Sequence, residues 1–330
     1  MKRNAGKDKQ WSNNADSIED AQDAEIQELT AFELKDFLKL ELPPQELILS
    51  PWLPTAGLAM IHAKPGVGKT YLSLNIAYAI ATGGSFLGWK AERPHGVLFI
   101  DGEMYPASLQ ERLAMIDKSN GGVQLQKKFS IISANLEQFG IPDLATEHGR
   151  EAINRKITDD ISVIVLDNLG SLIASGKEND SESWQPLQRW LLWLRGKGKS
   201  VVMVHHSSKA GDQRGTSKRI DILNSSIRLE RPRDYTQQEG ARFIVRYEKA
   251  RNFMGQDASP FEARLEVDSD GNAKWSKMSL EESTFQKIVT LANEGLNQKE
   301  ISEELGVHKS TVSKHIKKAK SDGLIIDKKE

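Results

Sequence analysis

The segment AKPGVGKT, residues 63–70, combines glycines, a lysine and a threonine at a spacing that suits phosphate chemistry. The two glycines let backbone N–H groups close around phosphate oxygens, a lysine reaches the β and γ phosphates, and a hydroxyl binds Mg²⁺. Ala63 replaces the first glycine of the usual pattern, but it stands at a strand exit, where a small side chain matters more than a positive φ. The segment therefore predicts a site for ATP and Mg²⁺. The residues expected to bind the nucleotide are Lys64, Pro65, Gly66, Val67, Gly68, Lys69, Thr70 and Tyr71.

Two later apolar runs lead into carboxylates. ISVIVLD ends in Asp167, and a carboxylate at that position would hold Mg²⁺ together with the Thr70 hydroxyl. VLFIDGE carries Glu103 just past a strand that should neighbour the phosphate-loop strand. There a carboxylate could polarise the water that attacks the γ-phosphate. Asp101 is the alternative base, and one of the two acids is expected to be structural.

A third polar cluster follows the run VMVHH. A zinc site at the two histidines would need a cysteine or a carboxylate at ligand spacing, and the segment has neither. His206 is therefore expected to act as a polar sensor that contacts the γ-phosphate. The loop after it is rich in glycine, serine and basic residues, and it is predicted to contact phosphates of nucleotide or DNA. The alternative is an ordinary solvated loop. Its basic residues are Lys209, Arg214, Lys218 and Arg219.

The elements that must position these groups alternate between strand and helix from about residue 45 to 275. Short, continuously apolar strands separated by helices predict an α/β fold with a mostly parallel sheet covered on both faces. The later runs ARFIVRYEK and FEARLEV predict an antiparallel extension at the sheet edge. Residues 1–30 are expected to form a flexible, polar and acidic arm, and TAFELKDFLKLEL a short amphipathic helix. The ATPase domain would span residues 31–276.

Residues 280–330 form the second predicted domain, with the pattern helix, helix, turn, helix. The segment from residue 309 to 320 holds five lysines and no acid, which suits a helix lying on DNA. The alternatives are a three-helix protein-docking module and a solvated basic helix. GLIIDKKE is expected to begin a wing. The module resembles the winged or LuxR-like helix-turn-helix of bacterial regulators. Its candidate DNA-binding residues are Lys309, Ser310, Thr311, Ser313, Lys314, Lys317 and Lys318.

The order of motifs from the phosphate loop through DGE, VLDN, VHHSSK, RGTS and EKARN resembles the RepA-type hexameric replicative helicases of plasmids, within the RecA-like P-loop ATPases. The resemblance covers residues 45–275. It implies a ring whose active sites lie between subunits, with Glu103 as base, His206 as sensor and single-stranded DNA in the central channel. It also implies that Lys249, Arg251 and Arg214 reach into a neighbouring subunit's site; for each of them a surface ion pair is the alternative.

Composition limits these interpretations. The 330 residues include no cysteine, which excludes disulfides and thiolate metal sites and fits a cytoplasmic protein. No apolar run is long enough to span a membrane. The net charge of −1 means that any DNA binding must come from local patches. The sequence thus favours an ATP-hydrolysing DNA motor, and among such motors a replicative helicase. The alternative is an ATP-gated, sequence-specific DNA-binding regulator or replication initiator.

Overall fold

The structure is a computed structural model that describes residues 30–42, 44–174, 181–207 and 220–325, with the backbone alone for residues 181–183. The predicted arm, residues 1–30, therefore lies almost wholly outside the described residues. Contacts within the chain separate the residues up to Pro44 from a second compact unit, Gln45–Glu330. No helix in the described ranges is long and apolar enough to cross a membrane.

Before Gln45, a single helical turn, α1, covers Leu34–Phe37. The longer amphipathic helix predicted for residues 30–42 is wrong. The physical reason is that α1 buries none of its residues. Without packing, an isolated helix of about 12 residues is only marginally stable in water, so the longer helix does not form.

Thirteen strands and eight helices follow in the described part of the second unit. In chain order they are β1 Leu47–Leu49, β2 Leu53–Pro54, β3 Leu58–Ala63, α2 Lys69–Thr82, β4 Ser85–Phe86, β5 Trp89–Lys90, β6 Gly96–Asp101, α3 Pro106–Ser119, β7 Phe129–Ser133, α4 Glu147–Asn154, β8 Ile161–Asp167, α5 Leu169–Leu172, α6 Ser181–Gly196, β9 Ser200–His206, β10 Ser225–Glu230, β11 Arg242–Ala250, β12 Phe261–Val267, β13 Ala273–Ser279, α7 Leu280–Asn293, α8 Gln298–Leu305 and α9 Lys309–Ser321.

Nine of these strands form one sheet in the order β13-β12-β11-β10-β3-β9-β8-β6-β7. The six strands from β10 to β7 are parallel, and β11, β12 and β13 extend the sheet antiparallel at one edge. The predicted fold class, a mostly parallel RecA-like sheet with an antiparallel extension, is confirmed.

Each parallel strand in the middle of the sheet is buried on both faces, as its continuous apolar run predicts. Phe99 of β6 packs with α2 and α3 in one core cluster, whereas Leu98 of the same strand packs with α6 in the other. The α6 residues Leu187 and Leu191 are fully buried against the second face. Because the six strands run in the same direction, their carboxyl ends meet at one edge of the sheet, where ligands of open α/β sheets bind.

The last three helices pack around a small core of their own. Ile288, Ile301 and Val312, one from each helix, are fully buried at its centre. Capping boxes begin α7 at Ser279 and α8 at Asn297, and Gly306 ends α8 in the left-handed conformation that the turn requires. The predicted helix-turn-helix is confirmed, while most of the expected wing falls on residues 326–330, outside the described ranges.

Candidate functional site

A cleft of about 630 Å³ lies at the carboxyl edge of the parallel strands. It is bordered by the phosphate loop, the ends of β6, β8 and β9, the first turns of α3 and the loop before β11. The side chains that give its lining a chemical character are Lys69, Thr70, Tyr71, Asp101, Glu103, Arg112, Asp167, Asn168, His206 and Tyr235.

The phosphate loop is held open by its glycines. Gly66 has φ 75° and Gly68 has φ 119°, values that side-chain-bearing residues rarely adopt. Gly68 also caps the N-terminus of α2, and a β-carbon on it would lie 3.1 Å from the Phe243 ring. The loop therefore leads straight into a helix N-terminus, whose free N–H groups and dipole favour an anion.

Lys69 is drawn into the base of this loop. Its Nζ lies 3.3 Å from the carbonyl oxygens of Ala63 and Lys64 and 3.0 Å from His206 Nδ1. Burial lowers the pKa of the Lys69 ammonium, and the nearby Asp167 and Glu103 carboxylates oppose that shift. A phosphate that binds the ammonium would replace these contacts with the two carbonyls and the imidazole.

Asp167 lies beneath the loop with hydroxyl partners. Ser73 Oγ donates to Asp167 Oδ2 at 2.7 Å, and the Thr70 side chain is also hydrogen-bonded to this carboxylate. Burial raises the pKa of Asp167 to about 6, against the lowering effect of these hydrogen bonds. The residue is only 3% exposed. Among the described residues, no charged side chain donates a hydrogen bond to this buried carboxylate, so it is suited to bind a cation that arrives with a nucleotide.

The donors present fit Mg²⁺. The Thr70 hydroxyl and the Asp167 carboxylate are hard oxygen ligands, which this ion prefers. No group of three or more acidic or histidine side chains in the described ranges could hold a metal alone. This agrees with an ion that is bound through one or two protein oxygens and the phosphates of a nucleotide.

The two candidate bases occupy different surroundings. Asp101 is 1% exposed, and its carboxylate accepts hydrogen bonds from the Met104 N–H, at 3.2 Å, and from Ser133 Oγ, at 3.3 Å. Burial raises the pKa of Asp101. The Glu103 side chain is 62% exposed and faces the cleft. The geometry gives Asp101 the role of holding the turn after β6 and leaves Glu103 accessible to a water molecule.

Asn168 joins the remaining polar groups and was missed in the sequence. Its amide Nδ2 donates to Glu103 Oε2 and lies 3.1 Å from His206 Nε2, and His206 Nε2 is 3.6 Å from Glu103 Oε2. The motif VLDN contains this asparagine, but nothing in a single sequence indicates that its side chain turns toward two other strands. Glu103, Asn168, His206 and Lys69 form a continuous chain of polar contacts across the cleft.

Another wall of the cleft is aromatic. The sequence predicted Tyr71 as a nucleotide contact but missed Arg112 and Tyr235, which lie on the same wall. The Arg112 guanidinium of α3 stands 4.3 Å above the ring centre of Tyr71, and Tyr235 lines the cleft from the loop before β11. Tyr235 is separated from the other two along the chain by more than a hundred positions, so only the folded structure brings the three together. A flat, partly apolar surface beside a phosphate loop suits a nucleotide base.

Two of the three proposed finger residues, Lys249 and Arg251, do not line this cleft. Lys249 is aligned through β10 with Met60, in the middle of β3. The Arg251 N–H donates to the carbonyl of Asn224, which lies beside Leu58 at the start of β3, whereas the phosphate loop follows the end of that strand. Lys249 Nζ donates to the carbonyls of Ile220 and Asp221, and Arg251 Nη2 donates to that of Asp221. The four basic residues of the loop after β9, Lys209, Arg214, Lys218 and Arg219, lie outside the described residues.

The helix-turn-helix presents its basic helix to solvent. His308 caps the start of α9 through its Nδ1, which accepts from the Ser310 N–H. Thr311 is half-buried, and Lys314 Nζ lies 3.8 Å from Glu281. The exposed candidate residues on this helix are Lys309, Ser310, Ser313, Lys314, Lys317 and Lys318. Their polar heads can reach phosphates or base edges.

Two family models match different parts of the chain. Residues 23–212 match the family model described as AAA domain, and residues 289–326 match the model described as winged helix-turn-helix DNA-binding. Among solved structures, a KaiC-like protein from the hyperthermophilic archaeon Pyrococcus horikoshii is 15% identical over 69% of this chain and 93% of its own, with a TM-score of 0.46.

A second solved structure, the flagellar accessory protein FlaH from Methanocaldococcus jannaschii, is 14% identical over 68% of this chain and 91% of its own, with a TM-score of 0.43. The first family match spans more than half of the chain. The chain therefore belongs to the AAA domain family, with an ATPase core of RecA-like fold and a C-terminal helix-turn-helix of the DNA-binding type.

Proposed function

We propose that this protein is a ring-forming, DNA-stimulated ATPase that acts as a replicative helicase of a plasmid or mobile element, as its resemblance to the RepA-type helicases implies. The observation that carries the proposal is the separation of Lys249 and Arg251 from the cleft of their own chain. These two residues lie away from the carboxyl ends of the parallel strands, where the cleft is. In this proposal they therefore complete the active site of a neighbouring subunit.

In this proposal the phosphate-loop N–H groups and Lys69 bind the triphosphate. The Thr70 hydroxyl and the Asp167 carboxylate would hold Mg²⁺, which would supply positive charge beside the phosphates. Glu103 accepts the proton of the attacking water, and the Asn168 amide fixes the orientation of its carboxylate. A basic residue from the next subunit then stabilises the charge that develops in the transition state, which makes hydrolysis depend on assembly.

The test compares ATP hydrolysis by the wild type and Glu103→Gln, with and without single-stranded DNA, alongside native mass. We expect DNA-stimulated turnover in a ring-sized species and its loss in the variant, with nucleotide binding retained. The control is Glu111→Gln, which changes an exposed carboxylate of α3 in the same way. Slow turnover that ignores single-stranded DNA, in a monomer or dimer, contradicts the motor.

One observation favours a second function, an ATP-gated DNA-binding regulator or replication initiator. Helix α7 is hydrogen-bonded to the ATPase core. Ser283 Oγ donates to Glu262 at 2.6 Å, and Lys287 Nζ donates to the same carboxylate at 3.0 Å. A domain docked in this way can report the state of the core. Tight, sequence-specific duplex binding that differs between ATP and ADP, without unwinding, is the result that selects this function.

A further inference from the structure

One loop contacts both the phosphate loop and the helix-turn-helix. Residues 231–241, here called the bridging segment, connect β10 to β11. At its start, Arg231 Nη2 donates to the Gly66 carbonyl at 2.8 Å, and the guanidinium stands 4.2 Å above the Tyr235 ring. Tyr235, Gly240 and Ala241 line the nucleotide cleft. A nucleotide that fills the cleft therefore meets this segment directly.

The same segment contacts the helix-turn-helix at two points. Lys287 Nζ of α7 donates to Asp234 Oδ1 at 3.1 Å. The Arg233 guanidinium packs so closely on Gly306 that a β-carbon there would overlap it. Gly306 forms the turn between the two helices that define the DNA-binding motif. Residues that are neighbours in the chain thus contact the phosphate loop on one side and this turn on the other.

A network of charged hydrogen bonds around Arg242 fixes the bridging segment. Arg242 is 6% exposed, and its guanidinium donates to Asp234 at 2.8 Å and to Glu239 and Glu262 at 2.6 Å. Burial by itself would raise the pKa of Asp234, but the hydrogen bonds from Arg242 and Lys287 hold that pKa below its ordinary value. Thr236 and Glu239 close a capping box within the segment. Buried polar networks whose members all have hydrogen-bond partners make the surrounding structure rigid.

We propose that the bridging segment couples nucleotide binding in the cleft to DNA binding by the helix-turn-helix. A nucleotide displaces Tyr235 or the Gly66 carbonyl, and the displacement reaches Gly306 and Lys287 through Arg233 and Asp234. The inference rests on the proposed function to the extent that the cleft binds ATP and the helix-turn-helix binds duplex DNA. It adds that the two affinities depend on each other, as any coupling between sites requires.

The experiment measures the dissociation constant of the full chain for a fluorescently labelled, mixed-sequence DNA duplex. The measurement is made with Mg²⁺ and either a non-hydrolysable ATP analogue or ADP. For the wild type we expect the two constants to differ by about 5- to 150-fold, the usual range for coupled sites. In the double variant Arg233→Ala/Lys287→Met the ratio should fall to within about twofold of one, with ATP hydrolysis in the absence of DNA retained.

The control is Arg246→Ala/Lys274→Met, which removes the same charges from β11 and β13 without touching the bridging segment; it should keep the wild-type ratio. If the double variant also keeps that ratio, the coupling through the bridging segment is refuted and the proposed function stands. If the wild type binds the duplex equally with the ATP analogue and with ADP, the coupling and the regulator are both refuted, and the helicase stands. If the wild type binds no nucleotide, the proposed function fails, and the coupling fails with it. If it binds nucleotide but no duplex, the coupling and the regulator fail, and the helicase stands.

Discussion

Lys69 Nζ lies 3.0 Å from His206 Nδ1, so the lysine of the phosphate loop and the last residue of β9 are joined across the cleft. Because an ammonium group only donates hydrogen bonds, Nδ1 must accept, and the other ring nitrogen is left to face Glu103 at 3.6 Å. A γ-phosphate that takes the lysine must break this contact. His206 is thereby placed to register whether the third phosphate is present.

His206→Ala should therefore impair turnover more than binding. We expect kcat to fall on the order of 10²-fold, the usual loss when one positioned transition-state contact is removed. ADP has no γ-phosphate, so its affinity should change little. Steady-state hydrolysis and titration with a fluorescent ADP analogue measure the two effects. A variant that loses ADP affinity as strongly as turnover would show that His206 only supports the loop.

Arg112→Ala tests the aromatic wall of the cleft. We expect the Arg112 guanidinium to stack on the nucleotide base, a contact that contributes about 0.5–2 kcal/mol, so the affinities for ATP and ADP should fall alike, by about 2- to 30-fold. The kcat should be unchanged, because the contact is made equally in the ground and transition states. Inorganic triphosphate, which has no base, should bind the variant and the wild type equally in competition titrations. Weaker triphosphate binding would instead assign Arg112 to the phosphates.

The sequence was most informative where chemistry follows a strand directly. Asp167 and His206 each end a buried strand, and Glu103 lies two residues beyond another. Because parallel strands end at one edge, their proximity followed from the fold class alone. Arg112 and Tyr235 could not be predicted in this way. The first reaches the cleft through the packing of a helix and the second through a loop whose course depends on contacts of Arg242.

The helix predicted for residues 30–42 shows the opposite limit. Its apolar spacing suits a helix, but spacing alone does not supply a surface to pack on. Phe32 is 52% and Leu34 is 74% exposed. The docking of the last three helices on the bridging segment and β12 could not be predicted either, because the ion pairs of Lys287 with Asp234 and Glu262 join residues far apart in the chain.

Asp167→Asn should separate stability from activity. Burial raises the pKa of Asp167 from 3.8 to about 6, so without metal the folded state holds its proton more tightly than the unfolded chain does. The stability due to the protonated form is complete below pH 3.8 and is lost as the pH rises through about 6. At pH 8 the neutral amide should therefore stabilise the protein, by on the order of 1–3 kcal/mol.

Urea unfolding in EDTA at about pH 8 and about pH 5 measures this difference, which should shrink at the lower pH because the wild-type carboxyl is then largely protonated. The same variant should lose ATP hydrolysis, because an amide is a poor ligand for Mg²⁺ compared with a carboxylate. Lower stability of the variant at the higher pH would mean that the hydrogen bonds from Ser73 and Thr70 need the ionised carboxylate, and the predicted sign would be wrong.

Lys314→Ala/Lys317→Ala tests whether α9 lies on DNA. Each lysine that neutralises a phosphate releases counterions, so the slope of log K against log salt should become shallower by about 0.9 for each such lysine removed, or by about 2 for the pair. Binding of a mixed-sequence duplex should weaken at low salt and converge with the wild type at high salt, because only the ionic contribution has been removed. Fluorescence anisotropy over a salt series measures both slopes.

Lys299→Ala, on the exposed side of α8 near Glu303, provides the control and should leave the slope unchanged. If the double variant keeps the wild-type slope, α9 does not contact the phosphates, and the helix-turn-helix binds its partner through another surface.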